Sequence, residues 1–381
     1  MYRKSMYALS VLGMVLGLLL TGCPSPYGAP YGGPSSAMPP AGTGDLVYRD
    51  QYASSGISHC EKIVFSANGL NAYLITGDYD RLVWFTRDPE TGDLSSLGGF
   101  SYPVLSGIRD VVLSANERFV YICTAYTNTL TWFARDPDTG DLVLVDHLTD
   151  PLLTLTGQMA AAPNGRDLYV VGSQGVVRIA LNSDTGAATI MGWDTRAAVA
   201  NAKAVAFSPD HRYVYVASNT NQSIAWYLRD AATGALTFQD TWQDTVRGLA
   251  AQTMFISPDG RFLYYSSTHA SSGKIVWLSR DTGTGELSFA GIFSNDYLEN
   301  CHITPSTDWK NIYAVGYMTP GAILWFTRDP ITGWIKFTGS ISGLEREELD
   351  GARGVSVSPD NRNVYTPCGT GATGYLLWFL R

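Results

Sequence analysis

Seven positions along the chain share one spacing and carry mostly polar side chains. Each lies five residues before a recurring Ser, Ala or Thr, and the seven are Glu61, Arg109, Gly157, Lys203, Gln252, Glu299 and Arg353. Five of them are ionisable, so if they meet they can bind a charged ligand or exchange protons with it. The alternative is a solvated rim of mutually satisfied ion pairs, which are common on surfaces and contribute little.

Three histidines fall near these positions: His59, His302 and His269. Imidazole can act as an acid, a base or a metal ligand, although a single His on a strand is more often a structural hydrogen-bond donor. The sequence contains no His-x-x-x-His spacing, no Gly-rich phosphate loop and no Ser-His-Asp order. We therefore predict no metal and no cofactor, and keep the histidines as candidates for ligand binding.

A repeat must position these side chains. Five copies of one phrase begin at Trp residues and read WFTRDPETGDL (84–94), WFARDPDTGDL (132–142), WYLRDAATGAL (226–236), WLSRDTGTGEL (277–287) and WFTRDPITGWI (325–335). A worn copy starts at Arg178 and a shortened one at Trp378, so that successive starts lie 46 to 53 residues apart. A second phrase, best seen as SPDHRYVYVAS and SPDGRFLYYSS, precedes each copy near Ser66, Ser114, Ala162, Ser208, Ser257, Thr304 and Ser358. Two phrases with one period indicate seven structural units.

Each unit holds four strand-like runs, which in the fourth unit are residues 204–208, 213–218, 223–229 and 236–241. A period near 48 residues with four strands is typical of propeller blades. The last copy lacks its fourth strand, whereas residues 44–52 match the fourth strand at 140–148. We predict an all-β, seven-bladed propeller over residues 44–381, with four-stranded antiparallel blades. Pairing of this N-terminal strand with Leu376–Arg381 closes the ring and removes an open sheet edge.

The innermost strand of a blade starts at one mouth of the central channel, so the seven polar positions are expected to gather there. Two segments, Ser267–Gly273 and Gly343–Gly351, are longer than their counterparts and should enlarge the same face. The acidic run Asp136–Asp141 resembles a calcium loop, but the same turn recurs with Ala231 and Ala232, which favours a structural turn. The Trp and Arg of the repeat are expected to pack between blades, with Arg stacked on Trp.

Four cysteines are placed near the same mouth by this register: Cys60, Cys123, Cys301 and Cys368. Because an oxidising compartment permits disulfides, we predict Cys60–Cys123 and Cys301–Cys368 bridges between neighbouring blades. Cys60–Cys368 across the ring closure is also possible, since four cysteines allow three pairings. The alternative is four buried thiols, which pack well in cores.

The N-terminus resembles a lipoprotein leader. Arg3 and Lys4 precede an apolar run from Ala8 to Leu20, and Leu20-Thr21-Gly22-Cys23 follows it. We predict a signal peptide over 1–22, a lipidated Cys23 and a loose tether over 23–43, with Pro24 favouring the outer membrane of a Gram-negative envelope. The mature chain has 24 basic and 34 acidic residues, a net charge of −10, which argues against nucleic acid as a partner.

The two phrases resemble those of the lactonase-like seven-bladed propeller family, which includes the propeller type of 6-phosphogluconolactonase and carboxymuconate cyclases. The resemblance covers residues 44–381 and rests mostly on turn and packing positions. Family members often carry a Cys-His pair early in the first strand of a blade and an Asn-Tyr pair after the second. Here Cys301-His302 is the nearest match, two to three residues before the turn at Thr304, and Gly316-Tyr317 stands in place of Asn-Tyr. We therefore carry over no catalytic residue.

Two classes of function follow. The first is an envelope lipoprotein whose propeller mouth binds a protein or a small ligand without catalysis. The second is a lactonase-like hydrolase or isomerase acting on a lactone or sugar acid at the channel. Fold alone does not choose between them. We predict the binding role and keep the hydrolase or isomerase as the alternative.

Overall fold

The computed structural model describes residues 44–77, 80–245, 250–269, 272–369 and 371–381. These residues form seven four-stranded antiparallel sheets, so the predicted seven-bladed propeller is confirmed. The strands, called A to D in each blade, have the following bounds: in blade 1 Cys60–Phe65, Asn71–Thr76, Arg81–Arg87 and Leu94–Ser101; in blade 2 Ile108–Leu113, Phe119–Thr124, Thr129–Arg135 and Leu142–Thr149; in blade 3 Met159–Ala161, Asp167–Gly172, Gly175–Leu181 and Ala188–Asp194; in blade 4 Ala202–Phe207, Tyr213–Ser218, Ser223–Arg229 and Leu236–Gln243; in blade 5 Ala251–Ile256, Phe262–His269, Ser272–Arg280 and Leu287–Asn295; in blade 6 His302–Pro305, Asn311–Gly316, Ala322–Arg328 and Ile335–Ser342; in blade 7 Ser356–Val357, Asn363–Cys368, Gly374–Leu380 and Val47–Ser54.

Short 3-10 turns stand between strand D of one blade and strand A of the next. They span Ser55–Ile57, Pro103–Leu105, Pro151–Leu153, Ala197–Val199, Asp296–Leu298 and Glu347–Leu349. The last residue of each turn is an aliphatic side chain that is fully or almost fully buried, which pins the connection onto the core. Within the described residues, no helix is long and apolar enough to cross a membrane.

The ring closes as predicted, through strand D of blade 7. Val47 pairs with Leu380 and Ser54 pairs with Gly374, in an antiparallel ladder. The residues just before this strand act as the C–D turn of blade 7, because the Tyr313 hydroxyl donates to the Gly44 carbonyl oxygen at 3.2 Å. The same bond recurs in the other blades, for example from Tyr365 to the Gly92 carbonyl oxygen at 2.6 Å. The N-terminal segment therefore replaces a whole strand of the last blade.

Neighbouring blades are held together by a buried arginine at the end of strand C. In blade 1, Arg87 Nε donates to the Tyr365 hydroxyl of blade 7 at 2.8 Å, and Nη2 donates to Asn363 at 2.6 Å. Five further arginines make the same bond to a strand B tyrosine of the preceding blade: Arg135, Arg229, Arg280, Arg328 and Arg381. The predicted packing of the arginine between blades is therefore confirmed, but its partner is a tyrosine hydroxyl and not the expected tryptophan ring. The guanidinium needs acceptors when it is buried, and a tyrosine hydroxyl supplies one where an indole ring does not.

The repeated turns behave as predicted from their residues. In the C–D turn of blade 2, Asp136 Oδ1 accepts from the backbone N–H groups of Asp138 and Thr139 at 2.8 and 2.9 Å. These bonds stabilise the carboxylate and lower its pKa. The first carboxylate of the acidic run therefore stabilises the turn, as the predicted structural turn requires.

The four cysteines are free, buried thiols, so the predicted Cys60–Cys123 and Cys301–Cys368 bridges are wrong. Side-chain direction is the reason. The Cys60 thiol points back to blade 7, 3.2 Å from the Cys368 carbonyl oxygen, whereas the Cys123 thiol points on to blade 3, 3.5 Å from the Gly157 carbonyl oxygen. Cys301 likewise turns towards blade 5, away from blade 7. The alternative of four buried thiols is the one observed, with Cys60 and Cys368 adjacent across the closure but unbridged.

Candidate functional site

A cavity of about 680 Å³ opens at one mouth of the channel. Six of the seven predicted ring positions line it: Glu61, Arg109, Gly157, Lys203, Gln252 and Arg353. The spacing therefore predicted correctly that residues up to almost 300 positions apart in the sequence line one cavity. A cavity of this size suits a small molecule.

The seventh predicted position, Glu299, is wrong. The turn serine of blade 6 is Ser306, whose hydroxyl donates to Asp308 at 2.6 Å, just as Ser208 donates to Asp210 in blade 4 at 2.5 Å. The Thr304-Pro305 pair imitates the Ser-Pro of other blades two residues too early. Asn300 and His302 line the cavity in place of Glu299, and Cys301-His302 lies four to five residues before the turn.

Three of the ring residues owe their position to a β-bulge in strand A. In blade 1, Cys60 pairs with Thr76 and Lys62 with Ile75, so Glu61 is the extra residue of the bulge. Arg109 and Lys203 are the extra residues of the same kind of bulge in blades 2 and 4. A bulge re-aims side chains and is frequent beside functional sites. It directs these charges to the cavity without disturbing the packed part of the strand.

Glu61 lies between two arginines. Its Oε1 is 3.2 Å from Nη1 of Arg353 and 3.6 Å from Nη1 of Arg109. Arg353 also donates from Nη2 to the Tyr317 hydroxyl at 3.0 Å and lies over the Tyr317 ring. Part of the ring is thus the set of mutual ion pairs that we kept as the alternative. Two guanidinium groups share one carboxylate, so cationic charge is left over for a ligand.

A second charged layer lies one residue further along strand A, and sequence reasoning missed it. Lys62 Nζ is 2.5 Å from Asp110 Oδ1, while Oδ2 of the same carboxylate accepts from the Met159 backbone N–H at 2.6 Å. Asp110 is 1% exposed and joins blades 1, 2 and 3. In blades 1 and 2 the bulge brings two consecutive residues to the cavity, Glu61 with Lys62 and Arg109 with Asp110. Two consecutive charged residues before the turn were therefore the sequence signal for this layer.

Lys203 is the cation of the cavity that forms no ion pair within the described part of the chain. Desolvation by burial and the positive charge of Arg109 both lower the pKa of its ammonium group. An amine held in this way gains free energy when an anion enters beside it. Lys203 is therefore the residue of the cavity best prepared to receive a negatively charged group.

His302 is the imidazole of the cavity. Burial, followed by the charges of Lys62 and Arg353, lowers its pKa to about 4. The ring is therefore neutral at pH 7 and can accept a proton. His59 is not among the residues that line the cavity, and its Nδ1 lies 3.0 Å from the Ser58 hydroxyl.

The segment Ser267–Gly273 of blade 5, predicted as a long loop, belongs largely to strands B and C. Strands B and C continue as a regular hairpin, in which Thr268 pairs with Gly273 and His269 with Ser272. The side chain of His269 lies outside what the structure describes. The insertion therefore lengthens a two-stranded arm of the blade.

Charge and composition limit the chemistry of the cavity. Lys62, Arg109, Lys203 and Arg353 stand against the carboxylates of Glu61 and Asp110, a local excess of two positive charges in a chain of net charge −8. Among the described residues, no cluster of three or more His, Cys, Asp or Glu side chains could hold a metal ion. Burial raises the pKa of the Cys301 thiol to about 12, so the Cys that precedes His302 is no nucleophile at neutral pH. The site is thus a cationic pocket with one neutral base.

Comparisons with known proteins agree with this architecture. The family profile "Lactonase, 7-bladed beta-propeller" matches residues 36–152 and 158–297. A candidate 6-phosphogluconolactonase from Bacteroides uniformis superposes with a TM-score of 0.65 at 18% identity, over 76% of this chain and 86% of that one. The periplasmic gluconolactonase PpgL of Pseudomonas aeruginosa superposes with a TM-score of 0.63 at 16% identity, over 74% and 85% of the two chains. A search of curated proteins finds no match.

Proposed function

Because the chain belongs to the lactonase family of seven-bladed β-propellers, we propose that its channel mouth binds and hydrolyses a lactone that carries an acidic group. The observation that carries this proposal is a neutral His302 in a cavity with surplus positive charge. The solved relatives named as a 6-phosphogluconolactonase and a gluconolactonase support a sugar-acid lactone as the substrate class.

Lys203 binds the acidic group of the substrate, since it is the cation left without a carboxylate. Arg353 lies on the other side of the ring and is held by Glu61 and Tyr317, which fixes the direction of its remaining N–H groups. A donor fixed in this way can stabilise the oxyanion that forms when the lactone carbonyl is attacked. Binding and charge stabilisation are thus assigned to different residues.

His302 acts as the base. It takes a proton from a water molecule whose oxygen forms a new bond to the lactone carbonyl carbon. The ring C–O bond then breaks, and the departing oxygen receives the proton from the imidazolium. A pKa near 4 makes this imidazolium a ready donor in the second step, although it makes the imidazole a weak base in the first. The product is the open hydroxy acid.

Binding without turnover is the second candidate. It is favoured by the pairing of both carboxylates of the cavity, Glu61 and Asp110, with cations, which leaves His302 as the proton acceptor. In that case the mouth holds an anionic ligand and releases it unchanged.

The test is hydrolysis by the full chain of δ-gluconolactone and of two acidic lactones, glucaro-lactone and 6-phosphogluconolactone. We expect turnover of an acidic lactone, with His302→Gln lowering kcat at least a hundredfold and changing KM little. Lys203→Met should raise KM for the acidic lactone and leave that for the neutral one unchanged. Tight binding of the acidic lactone without hydrolysis establishes the second candidate, and absence of both contradicts the assignment of the cavity.

We also infer that the protein is anchored in the cell envelope through Cys23, which lies outside the described residues. The Arg3-Lys4 pair, the apolar run and the Cys that follows it support this inference. Cys23→Ser should move the protein out of the membrane fraction or stop its processing. Normal processing together with membrane retention contradicts it.

A further inference from the structure

One C–D turn differs from the others in its chemistry. In blade 6 this turn, residues 329–334, exposes Ile331 and Trp334, which are 73% and 57% accessible to solvent. The two equivalent positions are acidic in blades 1 and 2: Glu90 and Asp93, and Asp138 and Asp141. In blades 3 to 5 they are Asp, Ala, Gly or Glu. Two large apolar side chains side by side on a turn are thus peculiar to blade 6 among the described C–D turns.

The turn holds these side chains in a fixed position. Asp329 Oδ1 accepts from the backbone N–H groups of Ile331 and Thr332 at 2.7 and 2.8 Å. The Trp334 ring packs edge-on against Trp277 of blade 5, with centroids 5.5 Å apart. A rigid turn that presents an aliphatic and an indole side chain to solvent is a surface in need of an apolar partner.

The chain enters the propeller close to this turn. Gly44 occupies the C–D turn position of blade 7, since Tyr313 donates to it as Tyr264 donates to Gly333 in blade 6. Both turns therefore lie on the face opposite the channel mouth, one blade apart. Whatever holds the N-terminal segment is thereby brought to the blade 6 turn.

Positive charge flanks the apolar pair. Lys336 follows the turn on strand D with its side chain exposed, and Lys310 lies in the A–B turn of the same blade, 70% exposed and 4.0 Å from Asp308. Indole rings favour the boundary between headgroups and acyl chains, and lysines there attract anionic lipid headgroups. The combination suits a lipid surface better than a purely apolar protein groove.

We propose that the blade 6 turn rests on the membrane surface, with Ile331 and Trp334 in the headgroup region, so that the channel mouth faces away from the lipid. The proposal depends on the lipid anchor inferred for Cys23 and is independent of lactone hydrolysis. Only 20 residues separate Cys23 from Gly44 in the sequence. Such a short tether keeps the turn at a high local concentration near the membrane, so two side chains suffice for contact.

The experiment uses the full chain, reconstituted through its anchor into vesicles of phosphatidylethanolamine and phosphatidylglycerol, with and without brominated acyl chains. Bromine quenches tryptophan only at close range. With ten tryptophans in the chain, contact by one should remove about a tenth of the emission. Trp334→Phe should abolish this quenching. The matched control is Trp193→Phe, because Trp193 is 61% exposed on strand D of blade 3 and should leave the quenching unchanged.

Flotation with the vesicles reports the anchor, whereas quenching reports the turn. Flotation with quenching that disappears only in Trp334→Phe supports the proposal. Flotation without quenching, or with quenching that persists in Trp334→Phe, overturns it. A chain that does not float overturns it as well. A change of oligomeric state in Trp334→Asp, together with no quenching by the lipid, also overturns it and shows that the turn contacts a second copy of the chain.

Discussion

His302 is expected to make the folded protein lose stability as the pH falls from about 6.5 to about 4. Burial and the neighbouring Lys62 and Arg353 lower its pKa from 6.5 to about 4 in the folded state. The unfolded chain therefore takes up the proton first, and acid favours unfolding. Its contribution to stability is fully present above pH 6.5 and is lost by the time the pH has passed through 4. A difference of about 2.5 pH units corresponds to at most about 3 kcal/mol.

The perturbation is His302→Gln, which keeps a polar side chain of similar size but does not titrate. For a domain of roughly 340 residues, about 3 kcal/mol corresponds to a Tm change of about 4 °C. Between pH 7 and pH 4 the Tm of the wild-type protein should therefore fall by up to about 4 °C more than that of the variant. Thermal melts followed by tryptophan fluorescence at half-unit pH steps measure this difference. His147→Gln serves as control, since that side chain is half exposed on strand D of blade 2.

Parallel Tm curves for the wild-type protein and His302→Gln over this range would refute the reasoning. They would mean that the imidazole has the same proton affinity in the folded and unfolded chain. A larger loss in the variant at acid pH would reverse the sign and place a carboxylate, rather than cations, beside the ring.

Three further outcomes are expected. Asp110→Asn removes a carboxylate of 1% exposure that pairs with Lys62 and accepts from the Met159 N–H. It should lower the Tm by several degrees, because Lys62 loses its ion pair and the buried N–H loses a charged acceptor. Asp146→Asn, at an exposed position, should leave the Tm unchanged. Deletion of residues 44–54 opens the edge of blade 7 and should cause a large loss of Tm or aggregation, whereas an unchanged melting curve contradicts the closure. Thiol titration should detect the four propeller cysteines only after denaturation. If the denatured protein shows two of these thiols instead of four, Cys60 and Cys368 form a disulfide.

The architecture could be predicted because its determinants are local and recur. The turn between strands C and D uses its own Asp side chain, or Asn182 in blade 3, together with its own glycine. The turns, the strand count and the register therefore followed from the sequence. The closing strand followed from the same logic, since residues 44–52 repeat a strand D pattern. The error in blade 6 was one of alignment. Thr304-Pro305 imitates Ser-Pro, but the determinant is a Ser whose hydroxyl donates to an Asp or Asn two residues later. Applying that rule to Ser306-Thr307-Asp308 puts Cys301 at the ring position and His302 one residue later, where Lys62 and Asp110 stand in blades 1 and 2.

The absence of disulfides and the second charged layer were both missed because they depend on side-chain direction. Cys60 and Cys123 start from the same face, yet one thiol turns to the preceding blade and the other to the following one. Strict alternation along strand A would place neighbouring residues on opposite faces. The bulge breaks that alternation at Glu61, and Lys62 then reaches the cavity as well. Alternation therefore predicts the packed half of the strand and fails in the half that forms the site.

The bulges also explain why two channel positions are glycine. A Cβ on Gly157 in blade 3 would stand 2.7 Å from the Lys203 carbonyl oxygen, and one on Gly354 in blade 7 would stand 2.3 Å from the Glu61 carbonyl oxygen. In both cases the nearest atom belongs to the extra residue of the bulge in the next blade, whose backbone fills the space that a side chain would need. The residues of the mouth are thus not chosen blade by blade. The backbones at Lys203 and Glu61 approach Gly157 and Gly354 of the preceding blades so closely that these two positions accept no side chain.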